Sequence, residues 1–391
     1  MYDHEVIVVG GGAMGAATAW HLARDGRDVL VLERFEALHT HGSSHGQTRV
    51  FRLAYRDAGY TALALAALPW WRVLEEESGQ SLLDQCGQLD HGSSEALAEI
   101  AAALDAHGRP YERLSTTDAS ERWPGIRTDE GVVFSPDGGF VAADRSVAAL
   151  HQVAAREGAH LHVDEPVRRI EPVGVGAVDG VRVTTDAGTY TAPVVVVAAG
   201  AWVADLVADL PGIALPPLAV TLAVPSHFAP ASPADRPADR PADRPAGAMS
   251  AWPSVLHHRS GAGPLDFGAY AVWAPGVGMK VGLEDVDRPV DPDDRPAEPP
   301  AQAVDALVDY VGHWFPGLDP RPLDPHMCLF TSTPDEHFVL DRRGPVVVVS
   351  PCSGHGFKFV PAIGRLAADL ASAPDALAAG VVRRAEWRLA P

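Results

Sequence analysis

Arginine, lysine, histidine and cysteine side chains cluster in this sequence in ways that suit an anionic ligand. Residues 39–56 read His-Thr-His-Gly-Ser-Ser-His-Gly-Gln-Thr-Arg-Val-Phe-Arg-Leu-Ala-Tyr-Arg. Arg49 and Arg52 would share one face of a helical turn at that spacing. A guanidinium is a flat fork of donors that takes a carboxylate through two parallel hydrogen bonds, a geometry lysine does not copy. The three histidines there raise a metal reading, but no acid or thiol lies at ligand spacing from them. Residues 278–284, Gly-Met-Lys-Val-Gly-Leu-Glu, would as a strand align Lys280, Gly282 and Glu284: a cation, a gap and an anion. Further on, Cys328 opens Cys-Leu-Phe-Thr, and Gly354–Phe359 reads Gly-His-Gly-Phe-Lys-Phe, setting His355 and Lys358 in one glycine-rich turn.

Two strand–turn–helix units are expected to position these groups. Four valines at 346–349 suit a strand buried on both faces, and a helical pattern with Leu366 and Leu370 on one face follows from 360 to about 372. The turn between them aims a helix N-terminus at a negative ligand. At the other end, residues 5–9 read as a buried strand. Gly10, Gly12 and Gly15 follow in G-x-G-x-x-G spacing around Ala13 and Met14, and a helix continues to about residue 24. A second strand at 28–32 ends in Glu33 and Arg34. The first glycine makes the tight turn, the second admits a pyrophosphate, and the third lets helix and strand pack closely. Glu33 can accept hydrogen bonds from ribose hydroxyls and disfavours a 2′-phosphate. This order of elements predicts dinucleotide binding without deciding between FAD and NAD.

Elsewhere, helices are expected at 58–78, 95–107, 146–157 and 301–315, and strands at 160–170, 181–185 and 189–192. Residues 109–135 read as mixed loop and short strand. A buried strand at 194–197 runs into Ala-Ala-Gly-Ala-Trp, where Ala199, Gly200 and Trp202 would lie along a dinucleotide, with Val167 on the same side. Between residues 234 and 245 Ala-Asp-Arg-Pro recurs; proline at every fourth position and no apolar content predict an extended surface loop over 232–247.

Composition narrows the possible partners. The 391 residues suffice for two domains, and 47% hydrophobic with 21% charged residues describes a globular chain. A formal charge of −20 argues against nucleic acid and against an anionic membrane surface. The 3 cysteines make no disulfide framework. The N-terminus lacks a signal peptide's basic region and no apolar run is long enough to span a bilayer, so a cytoplasmic location is expected. A monomer is expected, with a dimer as the alternative.

These motifs, in this order from end to end, resemble the monomeric sarcosine oxidase and N-methyltryptophan oxidase family, flavoenzymes of the D-amino-acid-oxidase-like superfamily. The resemblance implies an α/β (α+β) fold: a Rossmann-like FAD-binding domain from residues 1–80, 139–215 and 325–391, and a mainly antiparallel-sheet substrate domain from 81–138 and 216–324. It implies covalent FAD, joined through its 8α-methyl to Cys328. His45 and Arg49 would flank the flavin, with Ser44 and Thr48 among its contacts. The turn Gly354, His355, Gly356, Phe357, Lys358 would face both flavin and substrate. Arg52 and Lys358 would hold a substrate carboxylate near Tyr55, and Lys280 would activate dioxygen. The reaction implied is oxidation of a secondary amino acid, with O2 reduced to hydrogen peroxide. Phe330 stands where tyrosine is expected, and Glu284 where the sarcosine oxidases carry histidine. Glu284 matches the acid of fructosyl-amino-acid oxidases, so such an oxidase, or one for a cyclic imino acid such as pipecolate, is an alternative. A flavin dehydrogenase or a non-catalytic flavin-binding subunit is another; retention of Lys280 and Lys358 argues against both.

Overall fold

Valine and isoleucine fill the strands Val6–Val9 and Val194–Val197 completely and begin Val346–Ser350, and all three are buried along their whole length. Such runs belong in a parallel sheet covered on both faces. In the computed structural model, which describes residues 2–174, 180–232, 252–259, 268–284, 289–351, 353–372 and 387–389, they form the centre of a six-stranded sheet. Its order is Val339–Arg343, Val346–Ser350, Val194–Val197, Val6–Val9, Val29–Leu32, His160–His162; only the first pair is antiparallel. The Ala-Asp-Arg-Pro repeats lie outside the described residues.

One face of this sheet is covered by the helices Ala13–Arg24, Ala143–Arg156 and Val360–Ser372, with Ala58–Ser78 packed beyond them. Small residues let the first and third helices touch: a Cβ on Gly364 would stand 2.6 Å from that of Ala17. The other face packs against a three-stranded antiparallel sheet through Ile170, Val181 and Val183.

A second, eight-stranded sheet draws strands from residues 88–135 and 226–322. All its pairings are antiparallel except Ser254–His258 with Gln88–Gly92. Val255, Ala271 and Val281 on one face pack against Leu307 and Val311 of the helix Ala301–Trp314. The period of two sends Leu256, Tyr270 and Lys280 to the opposite face. The expected architecture, a Rossmann-like unit beside a mainly antiparallel sheet, is therefore what this chain forms.

Local expectations differ in three places. Residues Thr48–Phe51 are a strand paired with Gly139–Ala142, so Arg49 and Arg52 do not share a helical face. The stretch 160–170 divides into His160–His162 and Val167–Val173, in different sheets; Asp164 takes φ +54° and Pro166 cannot donate to a ladder. Thr116–Arg122 is a helix, nucleated by a capping box between Ser115 and Asp118. Among the described residues no helix is long and apolar enough to cross a membrane.

Candidate active site

The first glycine-rich turn is a cradle. Gly10 has φ +102°, and a Cβ there would meet the Ala198 carbonyl oxygen at 2.5 Å. A Cβ on Gly15 would fall 1.8 Å from the Gly10 oxygen, so the helix Ala13–Arg24 sits on the strand as only glycine permits. Gly12 caps that helix with no side chain, leaving its N-terminus turned to the cleft; Ser44 Oγ accepts the Ala13 N–H at 3.0 Å. Glu33, at the end of the second strand, accepts the Gly11 N–H at 2.7 Å and the Phe35 N–H at 3.0 Å. Burial opposes its ionisation, but hydrogen bonds from His39, Phe35 and Gly11 outweigh it and hold the carboxyl below its usual range. Arg34 ion-pairs with Asp293 at 3.0 Å, and Trp202 Nε1 donates to the same carboxylate at 2.9 Å.

One continuous cavity runs from this cradle to the C-terminal turn. Along its floor lie Gly10, Gly12, Ala13, Met14 and Glu33, then Val167, Ala199, Gly200 and Trp202. Its inner end is formed by Arg49, Arg52, Lys280, Cys328 and Phe330, with Gly354, His355, Gly356, Phe357 and Lys358. Of the residues read from the sequence, Gly15, His45, Thr48, Tyr55 and Glu284 stand behind this lining.

The inner end is strongly basic and mostly buried. Arg49 Nη2 reaches the Ser43 and His45 carbonyl oxygens at 3.0 and 2.5 Å and stands 3.9 Å from Cys328 Sγ. Lys280 comes from the strand Gly278–Leu283, is buried, and donates to the Thr48 carbonyl oxygen. Burial, then Arg49, drives its pKa well below the ordinary lysine value. His45 is pushed down to about 3 by burial, with Arg49, His326 and Lys280 adding to the effect, so its ring is neutral at physiological pH.

Arg52 stacks on the Tyr55 ring at 4.0 Å, and Lys358 Nζ lies 5.6 Å from the same ring while donating to the His355 carbonyl oxygen at 2.7 Å. Burial first, then Arg52, lowers Lys358 well below its ordinary value, while Glu284 pulls the other way. Burial, then Lys358 and Arg52, does the same to His355, whose Nδ1 meets the Tyr55 hydroxyl at 3.3 Å. Gly354 takes φ +73°, where a Cβ would stand 3.2 Å from the Phe330 ring and 3.6 Å from Glu284 Oε1.

Sequence reasoning did not single out several residues of this site. Tyr270 lines the cavity; a Cβ on Gly282, its strand partner, would lie 2.5 Å from its ring, so the gap between Lys280 and Glu284 is the space this ring uses. His326 and Ser43 also line it, and His151 meets the Gly11 carbonyl oxygen at 2.7 Å. An aromatic opposite a strand glycine was a usable signal for Tyr270; the others follow only from distant packing.

These residues fit FAD. The glycine cradle and the helix N-terminus behind Gly12 suit a pyrophosphate, and the acid at the second strand suits a ribose. At the inner end Thr331 Oγ1, in the cavity wall, is buried without a hydrogen-bond partner, as a polar group facing a heteroaromatic ring system would be. Cradle, sheet and basic inner pocket together define a flavoprotein oxidoreductase. Residues 5–370 match the family described as DAO, FAD dependent oxidoreductase, and the chain belongs to that family. It is 34% identical to the monomeric sarcosine oxidase of Streptomyces avermitilis, over 94% of this chain and 93% of that one. It is 33% identical to the peroxisomal sarcosine oxidase of Mus musculus, over 94% and 91%. Among solved structures, the open form of NikD, an unusual amino acid oxidase essential for nikkomycin biosynthesis, is similar with a TM-score of 0.81 and 30% identity, covering 95% of both chains.

Proposed function

We propose that this chain is an FAD-dependent oxidase of secondary amino acids of the sarcosine and N-methyl amino acid type, with its flavin joined to Cys328 and O2 as electron acceptor. A monomer acting in the cytoplasm is part of this reading. The observation that carries it is the pairing of Arg52 with Lys358, two buried cations set against one face of the same pocket around Tyr55. Burying like charges together is costly unless anions offset them; Glu284 does so in part for Lys358, and an amino acid carboxylate bound in the pocket would add to it. The names of the similar oxidases point to the same substrate class.

Arg52 takes the carboxylate as a bidentate fork and Lys358 completes its neutralisation, which orients the amine toward the flavin. Tyr55 holds Arg52 by stacking and His355 by its hydroxyl. His355, kept neutral by burial beside Lys358 and Arg52, orients the pocket; loss of hydride from a neutral amine requires no strong base at this position. FAD held by the cradle of Gly10, Gly12 and Glu33 would supply the two-electron redox chemistry, taking a hydride equivalent from the substrate C–H bond and giving peroxide with O2. With loss of the N–H proton the substrate leaves as an imine, which water hydrolyses to an aldehyde and a primary amine. Lys280 supplies the positive charge that stabilises negative charge developing on dioxygen, and its carbonyl contact with Thr48 fixes its position. The helix following Gly356, with Lys358, directs positive potential to the C-terminal turn, where it would offset negative charge on a reduced flavin.

Peroxide release under air is the test, with sarcosine, N-methyl amino acids, proline homologues and fructosyl-amino acids offered in parallel. Turnover is expected with sarcosine or another N-methyl amino acid. Peroxide from fructosyl-amino acids alone would transfer the assignment to the sugar-bearing class, with Glu284 as its anchor. Flavin reduction without peroxide would make the chain a dehydrogenase.

A further inference from the structure

We propose that the eight-stranded sheet carries a divalent transition-metal site, formed by His91, His257 and Asp129, on the face turned away from the flavin cavity. His91 and His257 are direct partners on the parallel strands Gln88–Gly92 and Ser254–His258. Their rings therefore stack, with centroids 4.2 Å apart and planes 21° from parallel, and both are buried. Leu256, one residue before His257, lines the flavin cavity, so alternation turns His257 to the opposite side, where Tyr310 and Trp314 cover it.

Asp129 closes the group from the loop between Thr116–Arg122 and Val132–Ser135. Its Oδ1 lies 2.9 Å from His91 Nδ1 and its Oδ2 3.6 Å from His257 Nε2. In a tetrahedral site with bonds of about 2.0–2.1 Å, neighbouring ligand atoms stand about 3.3–3.4 Å apart. The two observed separations, one to each carboxylate oxygen, fall on either side of that value, and one donor atom from each of the three residues lies within 4.8 Å of the others. A hydrogen-bonded His–Asp pair would account for His91 alone. It leaves His257 Nε2 beyond hydrogen-bonding distance of the carboxylate it faces, whereas a cation between them satisfies all three donors.

An outer contact is also present. The Tyr310 hydroxyl lies 3.1 Å from His257 Nδ1; when that nitrogen donates to it, the Nε2 lone pair faces inward, the tautomer a metal requires. The Asp129 side chain is 40% exposed, so an ion can enter from solvent and a fourth position stays open to water. Two imidazoles and one carboxylate select a borderline ion such as Zn²⁺ over Mg²⁺ or Ca²⁺.

The experiment uses the flavin-loaded full chain, stripped with chelator and titrated calorimetrically with Zn²⁺. Wild type is expected to bind one equivalent more than either Asp129→Asn or His257→Gln, and Zn²⁺ should raise the melting temperature of wild type but of neither variant. Unchanged flavin absorbance reports that the variants are folded. Equal Zn²⁺ stoichiometry in wild type and Asp129→Asn, or no binding by wild type, would overturn the proposal. Neither result bears on amine oxidation, which belongs to the other face of the sheet.

Discussion

The guanidinium of Arg49 stands 3.9 Å from the sulfur of Cys328, a buried residue in the cavity wall. A group held in that cavity is within reach of the Cys328 sulfur. The backbone brings the two together: Cys328 begins a strand paired with Ala219–Ala223, while Arg49 projects from Thr48–Phe51. Cys328→Ser is therefore expected to leave FAD extractable. After acid precipitation the wild-type flavin should pellet with the protein, whereas the variant's should stay in the supernatant. Flavin that still pellets with the variant would remove Cys328 as the attachment point.

Lys280→Met tests the oxygen role. Loss of a preorganised charge at a reacting centre costs about 3–4 kcal/mol, or roughly 10²–10³ in rate. Stopped-flow reoxidation by O2 should slow by that order while anaerobic reduction by substrate changes far less. Equal slowing of both half-reactions would place Lys280 in general site structure instead.

Arg52→Lys keeps the charge but removes the planar fork and its stacking on Tyr55. Weakening a buried charge-assisted pair of this kind costs about 2–4 kcal/mol, or roughly 30- to 1,000-fold in kcat/KM. Steady-state kinetics should show the loss chiefly in KM for the amino acid. An unchanged KM would exclude Arg52 from carboxylate binding.

Acid sensitivity should come from buried histidines. His21 Nε2 lies 2.8 Å from the Pro361 carbonyl oxygen, and burial, helped by Arg365 and Arg24, pushes its pKa down to about 3. Between that value and the ordinary 6.5 the unfolded chain binds a proton that the folded chain refuses. Stability therefore rises with pH across this window and is lost as pH falls through it, by about 1.4 kcal/mol per pH unit for each such group. Denaturation midpoints measured from pH 7 to pH 4 should fall, and His21→Gln should make the slope shallower. An identical slope in the variant would shift the effect to other groups.

Much of this was legible along the chain. The valine strands, the Gly10–Gly12–Gly15 turn and Glu33 are local in sequence, and each dictates its own conformation, so the dinucleotide cradle could be read directly. Thr48–Phe51 was less legible, because Arg49 and Arg52 fit a helical spacing and only the partner strand Gly139–Ala142, far along the chain, makes the segment extended. The stretch 160–170 reads as one strand along the chain, but its halves join different sheets on either side of Pro166.

The amino acid sequence by itself determined the residue types and the cofactor cradle, since these follow from spacing within short segments. Tertiary structure alone decided which cations share a pocket, that Tyr270 occupies the space beside Gly282, and that His91 meets His257 on the far face of a sheet. Those juxtapositions depend on strand register between segments far apart along the chain, and register is set by packing of the whole core.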